Sequence, residues 1–308
     1  MRVLKNLARY IAVLCLAVVG VLVGSNTVFA EEIPEYRIQV SPARLELDLR
    51  PGASTTAKFK VQNTGSKEFN FELSTGPFSV TDENYSQDLS STSNYTYIKD
   101  WVKFSKDGGT VPAGTEQEIT VTVNVPKDIP AGGQYGVIFA RMKESDDGTI
   151  GGVKAEKQVG ILVYSKNVEG NTRLEGGVIE NKVPSFMFAP PINATSIVEN
   201  KGNVHAEATY IMQVYPLFGS EEVYTNEENP EKRTILPETR RLNTMSWDGA
   251  PQLGIFRVKQ TVKFLDDTKV TEKLVFICPL WFLFVVLAII FLAIFWIVSR
   301  VRGREKED

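Results

Sequence analysis

Ile119-Thr120-Val121-Thr122-Val123-Asn124-Val125 alternates apolar and polar side chains without a break and is closed by Pro126 and Pro130. Successive strand residues point to opposite faces, so this spacing predicts a β-strand with one face in a core and the other in water. The reading extends in both directions. Towards the N-terminus, Ile38 and Val40, then Leu45, Leu47 and Leu49, repeat the pattern up to Pro51-Gly52. Ala57, Phe59 and Val61 follow, ending at Asn63-Thr64-Gly65, and then Phe69, Phe71 and Leu73. Towards the C-terminus, residues 137–139 and the set Val159, Ile161 and Val163 predict two buried strands joined by an Asp146-Asp147-Gly148 turn. Such runs, punctuated by Gly, Pro, Asn and Asp, predict antiparallel sheet, and no segment away from the two ends carries a helical stripe.

Residues 167–177 lose hydrophobicity and collect Gly, Asn and charge, which predicts a linker. A second strand set follows at 195–199, 208–215, 256–264 and 273–276. Between them, 220–234 is rich in Glu and Asn and predicts a long exposed connection. Residues 82–96, polar and Ser-rich, predict an exposed excursion from the first set. The fold class is therefore all-β: two sandwiches, 31–166 and 178–275, of about seven to nine strands each.

The two ends carry different signals. Arg2, Lys5 and Arg9 precede an apolar run from Ile11 to Val23 and a small-residue site at Ala30, so 1–30 predicts a signal peptide. Residues 276–299 are apolar, uncharged and, at 1.5 Å per residue, long enough to cross a roughly 30 Å hydrocarbon core as one transmembrane helix. Arg300, Arg302, Arg304 and Lys306 make 300–308 a basic tail, which places the C-terminus in the cytoplasm and the sandwiches outside.

Between the signal and the anchor stand 27 basic and 34 acidic residues, a net charge near −7. That balance argues against nucleic acid as the partner, because no basic face supplies counterion release. Cys15 falls in the signal and Cys278 at the entry to the anchor, so no disulfide staples the sandwiches. His205 is the sole histidine and sits in a turn leading into a strand. One imidazole without an identifiable orienting partner predicts a structural or interface role over a Ser-His-Asp triad, and with no ectodomain cysteine neither a Cys-His arrangement nor a His/Cys zinc site can be assembled. Asp146-Asp147, Glu221-Glu222, Glu227-Glu228 and Asp266-Asp267 are solvated turn charges, whereas glycosidase chemistry needs one carboxyl in an apolar pocket. The expectation is a protein without catalytic residues, metal or cofactor.

The remaining candidates are binding residues. Tyr85, Tyr95 and Tyr97 are interleaved with Ser, Asn and Thr, so they either stack on sugar rings or a protein partner, or anchor their loop to its own sandwich. Trp247 is either a core plug or a surface contact, and Trp101 and Phe104 plug the first core. Arg44, just after Ser41-Pro42, resembles the basic residue near the start of periplasmic pilus chaperones, which grips a client's carboxylate while donating a strand.

Laid out in order, residues 40–47 (VSPARLEL), 49–52 (LRPG), 61–65 (VQNTG), 129–136 (IPAGGQYG), 199–205 (ENKGNVH), 235–240 (ILPETR) and 254–258 (GIFRV) resemble the bacterial WxL-interacting proteins over nearly the whole chain. The resemblance implies two immunoglobulin-like domains on one membrane anchor. It also implies a first domain that binds peptidoglycan, and a second that binds a surface or host partner beside secreted proteins carrying Trp-x-Leu motifs. The function expected is a non-catalytic scaffold that tethers cell-wall polymer or a secreted surface protein. The alternative is a periplasmic-chaperone-like strand donor for exported subunits.

Overall fold

The computed structural model describes residues 34–143, 157–228 and 233–304. Residues 119–124 lie in strand β9 (Glu116–Asn124), where Ile119, Val121 and Val123 are buried and their threonine neighbours face out. β9 is internal to a four-stranded sheet of order β1 (Ile38–Ser41), β3 (Ser54–Asn63), β9, β7 (Val102–Phe104). Facing it is a five-stranded sheet of order β2 (Arg44–Leu49), β11 (Gln158–Asn167), β10 (Gly133–Lys143), β4 (Phe69–Pro77), β8 (Gly108–Val111). The chain changes sheets between β1, antiparallel to β3, and β2, parallel to β11. Pro42 stands at the crossing, where a residue without an N–H ends one ladder before the next begins. Leu45, Leu47, Leu49, Phe59, Phe71, Ile138 and Ile161 form the core between the sheets, with Trp101 and Phe104 packed against it as expected.

The second sandwich sets a three-stranded sheet, β12 (Gly176–Lys182), β14 (Ile192–Asn200), β18 (Thr239–Trp247), against a larger one. The larger has the order β13 (Phe186–Met187), β20 (Asp267–Ile277), β19 (Gly254–Phe264), β15 (Ala206–Pro216), β16 (Tyr224–Glu228), with β17 (Thr234–Ile235) on β15. Three expectations change here. Part of the predicted exposed connection is β16, antiparallel to β15 from Val214↔Tyr224 to Tyr210↔Glu228. Gly176 and Gly177 of the predicted linker open β12. Phe276 and Ile277, read as anchor, end β20, so the apolar helix α1 runs from Leu280 to Arg304. Its segment Leu280–Ile297 is long and apolar enough to cross a membrane. The predicted signal and the 146–148 turn lie outside the described residues, as does the tail beyond 304.

Both sandwiches are built on the same corner. Asn63, at the end of β3, donates its amide to the carbonyls of Lys67 (2.8 Å) and Val111 (2.9 Å) and accepts from Gly65 N–H (3.0 Å). Asn200, at the end of β14, donates to Val204 (2.8 Å) and Ile235 (2.9 Å) and accepts from Gly202 N–H (2.9 Å). In each, the glycine lets the incoming chain lie against it. A Cβ on Gly65 would stand 2.6 Å from the Glu35 carbonyl oxygen, and one on Gly202 would run into that of Arg173.

Candidate functional site: the seam between the sandwiches and a free strand edge

Residues 82–96 are largely exposed, as expected, but they also dock. They hold a short ladder of β5 (Ser79–Val80) with β6 (Gln87–Asp88), and carry two of the candidate tyrosines onto the second sandwich. Tyr85 Oη accepts from Leu236 N–H at 2.7 Å and lies 3.1 Å from Thr239 Oγ1, with the Arg241 guanidinium 4.2 Å over its ring. Tyr95 Oη donates to Glu238 Oε1 at 3.0 Å. Around them Phe78, Tyr135, Val137, Tyr164 and Leu236 form an apolar cluster of their own. Burial raises the phenol pKa of Tyr85, and raises that of Tyr95, with Glu238 adding to the effect, to about 12. Both stay protonated donors. Neither of the two readings open for these residues describes Tyr85 and Tyr95: they reach past their own sandwich and bond to the other. Tyr97 stays on the first sandwich, half exposed, its hydroxyl donating to Asn94 at 2.8 Å.

Arg44 also belongs to this seam. It donates to Thr234 Oγ1 (2.8 Å), pairs with Glu46 (2.9 Å) and Glu207 (3.6 Å), and lies 5.3 Å over the Tyr164 ring. In this structure, with two resident carboxylates on it, Arg44 bridges the two sandwiches. Trp247 is a core plug: it is 8% exposed, stacked on Tyr224 at 5.7 Å and edge-on to Phe256 at 5.1 Å.

His205 completes the seam. Tyr135 Oη accepts from the backbone N–H of His205 (2.8 Å) and lies 3.1 Å from Nδ1. With that oxygen already accepting, its own proton points to Nδ1. The ring proton then sits on Nε2, which faces Glu46 Oε2 at 3.7 Å. Burial lowers the imidazole pKa below the ordinary 6.5, opposed by Glu46 and assisted by Arg44 and Lys166. A depressed folded value means the unfolded chain binds the proton first. The contribution of His205 to stability is therefore whole above 6.5 and is lost as pH falls from there through the folded value. We expect denaturation midpoints to drop between about pH 7 and pH 5. A His205→Asn variant, whose amide cannot titrate, should show a smaller drop; equal drops in both chains would assign the pH dependence elsewhere.

Among the described residues, three carboxylates have a shifted pKa. Asp82, Glu116 and Glu199 all move down, held by hydrogen bonds from Ser86, Lys60 and Arg240 respectively. A general acid needs the opposite shift.

With Tyr85, Tyr95 and Arg44 engaged inside the molecule, a strand edge is a further surface feature open to a partner. β18 is hydrogen-bonded to β14 on one side only. At nine residues it is longer than the other edge strands: seven in β12, which carries a bulge, six in β2, five in β16, four in β1 and in β8, three in β7 and two in β13. β2 carries Arg44, Glu46 and Asp48, and β16 carries Glu227 and Glu228, charges that discourage pairing. β18 carries none from Leu242 to Trp247. On its open side Leu242 N–H donates to the Glu83 carbonyl (2.7 Å) and the Ser246 carbonyl accepts from Tyr224 Oη (2.9 Å). Backbone groups alternate along a strand, so Thr244, between these two, also directs its N–H and C=O outward. Neither has a partner among the described residues. No pattern in the sequence marks this edge, because strand order is set by pairings far apart in the chain.

No family model and no curated protein matches this chain. Solved structures with a similar arrangement include the class 5 fimbriae chaperone CfaA, 14% identical with a TM-score of 0.40, over 77% of this chain and 99% of that one. The E. coli chaperone DraB is 12% identical with a TM-score of 0.38, over 78% and 95%. The periplasmic chaperone SfaE is 6% identical with a TM-score of 0.36, over 77% and 99%. At that distance the likeness stops at the arrangement of strands: the chain is two immunoglobulin-like β-sandwiches followed by one apolar helix.

Proposed function

We propose that this is a non-catalytic, membrane-held binding protein that takes an extended segment of an exported protein along the free edge of β18. The observation that carries the reading is that nine-residue edge, uncharged over its second half, with the Thr244 backbone groups directed outward. Next to it, the outward Leu242 N–H already donates to a carbonyl outside the sheet, that of Glu83 in the 82–85 turn. Main-chain pairing supplies affinity in such recognition, and side chains on alternate positions supply specificity. This reading lies nearer the strand-pairing alternative than the polymer tether, two of whose three aromatic contacts, Tyr85 and Tyr95, are engaged in the seam. The resemblance to the WxL-interacting proteins fits beside it, with a secreted protein carrying Trp-x-Leu motifs as the exported partner.

Thr244→Pro tests the proposal. The N–H it removes points away from β14, so the internal ladder is kept while the edge loses a donor and gains a ring. With one bond worth about 1 kcal/mol, and the ring blocking its neighbours, capture of secreted proteins by the full chain in nanodiscs should fall about tenfold or more. Unchanged capture, or retention on purified cell wall that ignores the substitution, would sink the edge reading and return the polymer tether.

A further inference from the structure

The loops beside α1 form an apolar end that the binding edge does not use. Their placement follows from register alone. β20 ends at Ile277, opposite Gly254 at the start of β19, and β19 in turn sets Phe256 opposite Pro216 at the end of β15. β13 runs parallel to β20 with Phe186 opposite Phe276, and the backbone N–H of Cys278 donates to the Met187 carbonyl at 2.9 Å. The turns carrying Phe186 and Phe188, Leu217 and Phe218, and Leu253 therefore sit together where the chain leaves for Leu280. The seam with the first sandwich, at Asn203, His205 and Thr239, lies at the other end of the same strands.

What these turns show to solvent is unusual for a soluble surface. Phe218 is 88% exposed, Phe188 52% and Phe186 48%, the last two packed edge-to-face at 5.0 Å. Among the described residues of the two sandwiches, every exposed phenylalanine lies at this end: Phe186, Phe188, Phe218 and Phe276. Exposed aliphatics elsewhere are scattered, as they are on any protein surface. Clustered exposed aromatics mark a partner. Here α1 fixes which: its first turn, with Trp281 59% exposed, begins three residues after β20 ends. Trp and Phe at the entry of a span sit at headgroup level, where apolar rings meet both water and acyl chains.

We infer that the 186–188, 217–218 and 253 turns dip into the interface of the bilayer that α1 crosses, so that the second sandwich stands on the membrane with its Phe side chains inserted. The inference rests on α1 being a membrane span. The same end carries Glu221, Glu222 and Asp248, and Arg257 there is paired with Glu272 at 3.4 Å. Insertion is thus driven by apolar burial, and neutral lipid suffices.

The test uses the full chain in phosphatidylcholine nanodiscs with Cys15 and Cys278 replaced by Ser. Single spin labels go at Phe218→Cys, Phe188→Cys, Asp266→Cys at the far hairpin, and Leu292→Cys inside α1. Accessibility to oxygen against a water-soluble nickel chelate reads depth. Labels at 218 and 188 should favour oxygen, between the label at 292 in hydrocarbon and that at 266 in water. If 292 reads hydrocarbon while 218 and 188 match 266, the anchor stands and the inserted turns are overturned. If 292 also matches 266, the span itself fails and the inference falls with it.

Discussion

Trp247→Ala should lower the stability of the second sandwich by about 3–5 kcal/mol, the range for emptying an aromatic site in a packed core. The ring is 8% exposed and fills the space between the sheets, with Tyr224 stacked at 5.7 Å and Phe256 edge-on at 5.1 Å. It also holds the end of β18 against Ile192 of β14, and so supports the edge proposed to bind. Removing it leaves Tyr224 without the surface that orients its hydroxyl towards the Ser246 carbonyl, so the loss should spread into β16. Urea denaturation of the full chain in detergent would read the shift. Trp247→Phe, which keeps a ring against Phe256, should lose about half as much. A cost below about 1 kcal/mol for Ala would mean that the indole contributes as a surface residue does.

The alternation that predicted strands also predicted their faces. Leu45, Leu47 and Leu49 are buried while Glu46 and Asp48 face out, and Ile119, Val121 and Val123 are buried as spaced. Local pattern suffices there because a strand's period is set by its own backbone. β16 was illegible for the converse reason: Tyr224-Thr225-Asn226-Glu227-Glu228 has little strand preference, and it is held by backbone pairing to β15 and by the stacking of Tyr224 on Trp247. The seam was out of reach altogether. Tyr85 meets Leu236 across 151 positions and Tyr95 meets Glu238 across 143, so a polar loop that docks reads the same as one that does not. The turn chemistry of 82–96 gave the loop, and only the fold gave its destination. The open side of β18 belongs to the same class, since alternation shows which face is wet and never which edge is unpaired.

Asn200→Ala should cost about 3 kcal/mol or more, although it deletes no apolar surface. The Val204 and Ile235 carbonyls and the Gly202 N–H would each lose a bond now made inside the protein, and a buried orphan costs about 1–3 kcal/mol. The carboxamide is needed as both donor and acceptor. Asn200→Asp keeps the acceptor for Gly202 but turns a charge towards two carbonyls, so it should do no better than Ala at neutral pH. The same logic applies to Asn63, whose partners are Lys67, Val111 and Gly65, and Asn63→Ala should damage the first sandwich by a similar amount. Hydrogen exchange separates the two cases: amides of residues 176–277 should lose protection first in Asn200→Ala, and those of 38–167 first in Asn63→Ala. Equal exchange across both sandwiches in either variant would show that the seam of Arg44, Tyr85 and His205 makes them one cooperative unit. A cost within about 1 kcal/mol would show that the strand ladders alone hold the corner. The sequence displays Asn-Thr-Gly and Asn-Lys-Gly as ordinary turns. What makes each a keystone is a carbonyl 48 or 35 positions away that the side-chain amide reaches, and that long-range bond is what the substitutions measure.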